Sequence, residues 1–271
     1  MPRVIARDNP RLVEAARLVA SSRDRRKRGK CVLEGDHLVG VYLDRVGAPE
    51  TLLVVDERTL DPRIAALVAR VAPRNVLVVS AALFTETVVA PADVAIAAVV
   101  ATPAPSLPSP ARFHLMLEDI QDPGNVGTML RTAAAAGVEQ VLLSKHCAFA
   151  WSPKVLRAGQ GAHFATTVAE DVDLVAWADA FTARGGDVIA TSPRDAQMLY
   201  EAPVAEPWAV AIGNEGAGLS AALLTRATAR IAIPMHAGTE SLNASAAAAV
   251  VLFELVRRRL PAQLGMKRSE K

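Results

Sequence analysis

The sequence predicts an α/β protein in two parts: a small α/β domain, then a larger α/β domain on a mostly parallel sheet. Three observations predict it. Short apolar runs alternate with helix-patterned segments along the chain, as expected where crossover helices cover a parallel sheet. A proline-rich stretch, ATPAPSLPSPAR from Ala101 to Arg112, has little to bury and reads as a semi-rigid extended linker. It places the boundary near residue 108, giving domains 1–108 and 109–271. Finally, 271 residues, 51% of them hydrophobic, suffice for one large core or two modest ones.

Composition removes several classes. No apolar run approaches the ~20 uncharged residues that a membrane helix needs. The opening MPRVIARDNPRLVEAARL lacks the continuous apolar stretch of a secretory signal, so a cytoplasmic protein is expected. Cys31 and Cys147 lie far apart without CxxC or Cys/His ligand spacing, which predicts buried thiols and no metal. The net charge of +2 is small, but residues 1–30 hold ten Arg/Lys against three acids. Arg23, Arg25, Arg26, Lys27, Arg28 and Lys30 form one cluster, either a solvated loop or a footprint for phosphate contacts.

In the first part, Asn9 then Pro10 reads as a helix cap with a first-turn proline, and Leu12, Val13, Ala16 and Val19 supply an apolar stripe. After the basic segment, CVLE at Cys31 reads as a strand, and Glu34-Gly35 as a tight turn or an RNA contact. A helix through Leu38, Val41 and Tyr42 follows. Next come strand-like LLVV at Leu52, a helix from Pro62 to Val71, and strands at Val76 and Val94.

The second part opens with strand FHLMLED at Phe113. Asp122-Pro123-Gly124 reads as a turn, Asn125 as a cap, and a helix carries Arg131 to its stop at Gly137. Arg131 lies beside an alanine run, and an interior arginine needs an anionic partner. Strand VLLS at Val141 precedes a helix start at Trp151-Ser152-Pro153, where Lys154 and Arg157 lie three apart and point together. A helix from Asp173 to Ala183 and strands at Val188, Trp208 and Ile231 complete the alternation. The absence of GxGxxG after this domain's first strand leaves a dinucleotide site unsupported. Met116, Met129 and Met198 read as core filler. His37, His114, His146 and His163 read as packing or solvent-facing residues without a recognisable Ser/Asp partner, while His236, in the loop after the last strand, could in principle accept a proton.

The last strand leads to IAIPMHAGTESLNASAAAAVVLFEL, Ile231 to Leu255, where Thr239, Glu240, Ser241, Asn243 and Ser245 gather at a strand-to-helix turn. Read alone, that cluster is a capped helix start, whose free N–H groups also suit ligand oxygens. Two other stretches stand with it: DPGNVGTMLRTAAAAG at Asp122 and IGNEGAGL at Ile212. In order, DPxNxGxxxRTAxxxG, IGxEGxGL and IPMxxxxxSLNxSxA resemble the three motifs of the SpoU (TrmH-type) ribose methyltransferases of the SPOUT superfamily. The LEG element after a basic helix is similar to the amino-terminal RNA substrate-binding domain of many members.

The resemblance implies a deep trefoil knot at the carboxyl end, a homodimer through the knotted domain, and S-adenosylmethionine as cofactor. Thr191, Ile212, Gly213, Gly216, Ile233 and Leu242 are expected at the cofactor. Arg131 is expected to be central to catalysis, assisted by Asn125, Glu215, Ser241 and Asn243. Whether Arg131 acts as a base or only orients and stabilises stays open, although a guanidinium with a pKa above ~12 is a poor base. Arg25, Arg26, Lys27, Arg28, Lys30, Lys154 and Arg157 are expected to contact RNA. The implied reaction is methyl transfer to a ribose 2′-hydroxyl of structured RNA, ribosomal RNA favoured over transfer RNA. Base methylation and a non-catalytic RNA-binding or ribosome-assembly protein are the rival readings.

Overall fold

The computed structural model describes residues 3–4, 7–88, 93–104, 111–193, 195–236 and 241–259. The proline-rich stretch from residue 105 to 110 lies outside them, as do Thr239 and Glu240. The first part carries β1 (Arg3–Val4), α1 (Pro10–Ala20), α2 (Ser22–Arg28), β2 (Lys30–Glu34), α3 (Asp36–Arg45) and β3 (Thr51–Val55). It continues with α4 (Pro62–Val68), β4 (Val76–Val79), α5 (Ala81–Thr87) and β5 (Ile96–Ala101). The strands form a five-stranded mixed sheet, β1-β4-β3-β5-β2, in which β5 runs antiparallel to both neighbours. Because side chains alternate across a strand, Leu53 and Val55 of β3 face α1 and α5 while Leu52 and Val54 join the core containing α3 and α4.

The basic segment is a helix, α2, where no apolar periodicity announces one. Its ends explain it: the Ser21 hydroxyl accepts from Asp24 N–H, and Gly29 closes it in the left-handed conformation (φ 59°).

The second part comprises β6 (Phe113–Leu117), α6 (Pro123–Ala135), β7 (Gln140–Leu143), α7 (Pro153–Gly159), β8 (Thr167–Ala169), α8 (Leu174–Thr182) and β9 (Asp187–Thr191). Then follow β10 (Gln197–Met198), β11 (Trp208–Ile212), α9 (Ala221–Arg226), β12 (Ala229–Ala232) and α10 (Ala244–Arg259). All seven strands are parallel, in the order β10-β12-β9-β11-β6-β7-β8. Residues of α6, α7 and α10 share the core on one face, and those of α8 and α9 the core on the other. Met116 and Met129 are fully buried, but Met198 is 46% exposed because β10 is a two-residue edge strand.

One apolar core is continuous from the α3 side of the first sheet to the α6 side of the second. At the joint, Tyr42 of α3 meets Phe164 edge-on at 5.2 Å. Gly161 (φ 88°) leaves no room for a side chain, since a Cβ there would lie 2.6 Å from Val41 Cγ1. Arg157 of α7 donates to Glu34 Oε2 of β2 at 2.6 Å, with Glu34 only 1% exposed. Burial pushes the Glu34 carboxyl up, opposed by the Arg157 charge and hydrogen bond.

Removing the guanidinium strands that carboxylate. Arg157→Ala is expected to cost about 2–4 kcal/mol in urea unfolding, and adding Glu34→Gln to it should recover part of the loss.

Candidate active site

The second sheet changes direction between β6 and β11: from β6 the chain builds outward through β7 and β8, while β11, β9 and β12 lie on the other side. Open parallel sheets bind ligands beyond the carboxyl ends of their strands, at such a switch. All three motif segments lie there. Asp122 follows β6, Gly213 follows β11, and Ile233 follows β12.

The first motif starts α6. Asp122, not Asn125, is the cap: its carboxylate accepts from Asn125 N–H at 2.8 Å, with Pro123 in the first turn. Asn125 therefore has its amide free for tertiary contacts. Its Nδ2 donates to Glu215 Oε1 at 2.9 Å, and its Oδ1 accepts from Asn243 Nδ2 at 3.0 Å. Asn243 Oδ1 in turn accepts from Ser245 N–H at 2.9 Å, Ala246 N–H at 3.3 Å and the Ser245 hydroxyl at 2.6 Å, so Asn243 caps α10. One side chain from each motif thus forms a continuous chain, Asn243 to Asn125 to Glu215.

Burial pushes the Glu215 carboxyl up, but hydrogen bonds from Asn125 and the Asp122 and Gln121 N–H groups outweigh it and hold it below its usual range. The loop bearing Glu215 is closed by Asn214, a residue the sequence reading did not single out. Asn214 Oδ1 accepts from the Gly216 and Ala217 N–H groups, each at 3.0 Å. Its Nδ2 donates to Asp119 O at 2.8 Å, and its backbone pairs with Gly218. Asp119, at φ 56°, is held by the Ser144 hydroxyl, which donates to its Oδ1 at 2.5 Å. The asparagine ahead of Glu-Gly is the signal that could have found this, since Asn side chains close such turns locally.

Gly213 permits the closure: a Cβ there would sit 2.2 Å from the Gly218 carbonyl carbon. Beside it, Thr191 Oγ1 donates to Ala211 O at 3.0 Å, and Thr191 is in register with Ile231. Ile212 is buried, so it can reach a ligand there only through its backbone; Ile233 is half-buried and Gly216 exposed. Leu242 and Met235 are each 40% exposed, giving this region an apolar lip. Backbone edges, small residues and an apolar lip at the strand ends fit an adenosine and a methionine side chain.

Arg131 is not interior. Val126, Met129, Leu130 and Ala133 form the buried stripe of α6, and Arg131 lies off it, exposed, with no side-chain hydrogen bond or ion pair among the described residues. Ser241 is exposed beside Asn243.

The basic residues diverge. Arg25 is buried, which lowers its pKa, and donates to the Leu18 and Val19 carbonyls at the end of α1, so its charge is turned away from any RNA. Arg28 and Lys30 pair with Glu14, and Lys30 also with Glu50 at 2.5 Å. Arg26 pairs with Asp171 at 3.0 Å and lies 4.3 Å over the Phe149 ring. Arg157 is committed to Glu34. Lys27 and Lys154 are exposed and have no such pairing among the described residues.

Residues 112–253 match the profile of the SpoU rRNA Methylase family. The chain belongs to that family. Among similar proteins, the 23S rRNA (guanosine(2553)-2'-O)-methyltransferase RlmP of Bacillus subtilis is 34% identical over 235 residues, spanning 87% of this chain and 92% of that one. The 23S rRNA (uridine(2479)-2'-O)-methyltransferase of Streptomyces viridochromogenes is 28% identical, spanning 95% and 93%. Among solved structures, the SpoU methyltransferase AviRb from Streptomyces viridochromogenes, in complex with the cofactor AdoMet, superimposes with a TM-score of 0.82 at 26% identity, covering 93% of this chain and 98% of that one. An RNA 2'-O ribose methyltransferase gives 0.79 at 31% identity, covering 96% and 100%.

Two outcomes test this geometry. Asn125→Ala should raise the Glu215 pKa toward its ordinary value, read by carboxyl carbon NMR titration. At the far end of α10, Glu254 is held down at about 2 by hydrogen bonds from Arg257 and Arg258, which outweigh its burial. Because that pKa is depressed on folding, its stabilisation is complete above about pH 4.5 and is lost as pH falls toward 2. Glu254→Gln should flatten urea-unfolding stability across that window.

Proposed function

We propose that this chain transfers the methyl group of S-adenosylmethionine to a ribose 2′-hydroxyl of ribosomal RNA. The observation that carries the reading is the meeting of the three motifs in one hydrogen-bond chain, Asn243 to Asn125 to Glu215, in a SpoU-family protein. Its relatives include two named as 23S rRNA 2'-O-methyltransferases, and the AviRb structure binds AdoMet.

When bound, S-adenosylmethionine supplies a methyl group on a positively charged sulfur, open to displacement by oxygen. Thr191, Gly213, Ile233 and Leu242 would hold it, together with the backbone of Ile212 and Gly216. The hydroxyl has to lie in line with that methyl, and orientation of this kind is worth up to ~7–11 kcal/mol. Asn125 and Asn243 fix the site's shape. Glu215 stays ionised at neutral pH and is engaged by Asn125, so it orients the site. Arg131 presents a guanidinium with no partner among the described residues, suited to hold the adjacent phosphate and the developing alkoxide by paired N–H donors.

Several finer features belong to the same reading. Residues 1–108 act as the substrate-binding module and 109–271 as the catalytic one. The chain leaves β12 outside β9, then returns so that Asn243 reaches Asn125 and α10 packs on α6 and β11. That return supports a trefoil knot. Phe253, 47% exposed on α10, supports pairing of two copies through this region. The compartment is the cytoplasm, where its RNA would be found; no helix among the described residues is long and apolar enough to cross a membrane.

Incubation with methyl-labelled S-adenosylmethionine and unmodified ribosomal RNA, then nucleoside digestion and mass analysis, should place the label in a 2′-O-methylnucleoside. Arg131→Ala should abolish it, and Arg131→Lys, which loses the paired donors of the guanidinium, should lower turnover by about tenfold or more. Label on a base would overturn the ribose assignment.

A further inference from the structure

Half of the basic amino-terminal cluster is paired with acids within the protein, which changes where an RNA backbone would be held. Glu14, Glu50 and Asp171 take up Arg28, Lys30 and Arg26. Arg23 and Lys27 of α2 remain exposed, with no hydrogen bond or ion pair from their side chains among the described residues. They lie four apart on one helix, hence on one face, and Arg23 is three from Arg26 on the same side. Arg26 fixes that face to the second part of the chain, through Phe149 and Asp171.

Phe149 belongs to the segment that joins β7 to α7, and this segment is anchored along its length. Ser144 N–H donates to Leu117 O at 3.0 Å, Ala148 N–H to Ile120 O at 2.8 Å, and Ala150 N–H to Glu170 Oε1 at 2.8 Å. Between the first two anchors the chain makes a tight turn, closed by Cys147 N–H to Ser144 O at 3.2 Å. The two residues at its tip are Lys145 and His146. Both are exposed, and their side chains make no hydrogen bond or ion pair among the described residues. The turn's base is Ser144, whose hydroxyl holds Asp119, three residues before the Asp122 cap of α6. The segment is thus tied at Ser144 to the residues that lead into α6 and at Phe149 to α2, and its turn is preorganised by its own backbone.

We propose that Lys145 and His146 bind the phosphate backbone of the substrate RNA, and that with Arg23 and Lys27 they form one track leading from α2 to the Asn125 site. The Lys145, Arg23 and Lys27 charges suit phosphates, because contact releases counterions without first breaking an ion pair among the described residues, and the His146 imidazole adds a hydrogen-bonding group beside Lys145. The sugar-phosphate backbone, not a base, is the moiety recognised, so the contribution is independent of RNA sequence.

This inference rests on the ribosomal-RNA reading, and the experiment separates the two. Fluorescence anisotropy with a labelled, unmodified 23S ribosomal RNA transcript, from 50 to 250 mM KCl, gives the slope of log K against log salt, and label transfer is measured in parallel. Lys145→Ala should reduce the magnitude of that slope by about 0.7–1 and Lys145→Ala with Lys27→Ala by about twice as much. Lys145→Arg should keep the wild-type slope, and S-adenosylmethionine affinity should be unchanged in all three. Wild-type methyl transfer with slopes indifferent to these substitutions would overturn the track alone. Slopes that respond as expected without methyl transfer by the wild type would overturn the function and leave the track standing.

Discussion

The hydrogen-bond chain through Asn125 joins three loops that no strand ladder connects. Each loop follows a different parallel strand, so the sheet brings their starts together without fixing their tips. Asn125 fixes them by using both ends of its amide: it donates to Glu215 and accepts from Asn243. An amide is suited to that position because it carries donor and acceptor in one plane, whereas a carboxylate would face Glu215 with like charge. The two flanking residues carry second duties, Asn243 as the cap of α10 and Glu215 as acceptor for the N–H groups ahead of α6. The site and the helix starts therefore depend on the same few atoms.

Charge is arranged on a different principle. Runs of arginine and lysine suggest an exposed, uniform surface, yet here individual members have different tasks. Arg25 closes the carbonyl end of α1, Arg26 fastens α2 to Phe149 and Asp171, and Arg157 pairs with one oxygen of a carboxylate buried in the other sheet. Distance along the sequence says nothing of which cation meets an acid, because Glu34 and Arg157 are brought together only by the packing of β2 against α7.

The α/β class and the parallel second sheet were legible because apolar strands and capped helices alternate with clear punctuation. Strand-like LLVV, VLVV and FHLML all became strands, and Asn9-Pro10 started a helix as its chemistry requires. What escaped lacked local signal. The basic α2 has no apolar stripe and is legible only through the family resemblance, and β10 has only two residues and takes its pairing from β12. Residue type alone puts the cap of α6 three residues late, at Asn125, although Pro123 in the first turn points to Asp122. The neighbouring alanines suggest an interior Arg131, but small residues do not show which side of a helix is covered; the stripe from Val126 to Ala133 does. The motif residues could be named from sequence, whereas their hydrogen-bond order and the bracing by Asn214, Asp119 and Ser144 required three-dimensional register.

The joint between the two sheets has a further consequence. Tyr42 against Phe164, Glu34 against Arg157 and the close seat of Val41 on Gly161 leave little freedom for one part to swing against the other. With RNA held on the first part, such a joint would act as a gauge. An RNA resting on the first part would present to the catalytic loops only the nucleotide lying at one set spacing along its fold, so the enzyme would choose its target by length as much as by the identity of the base.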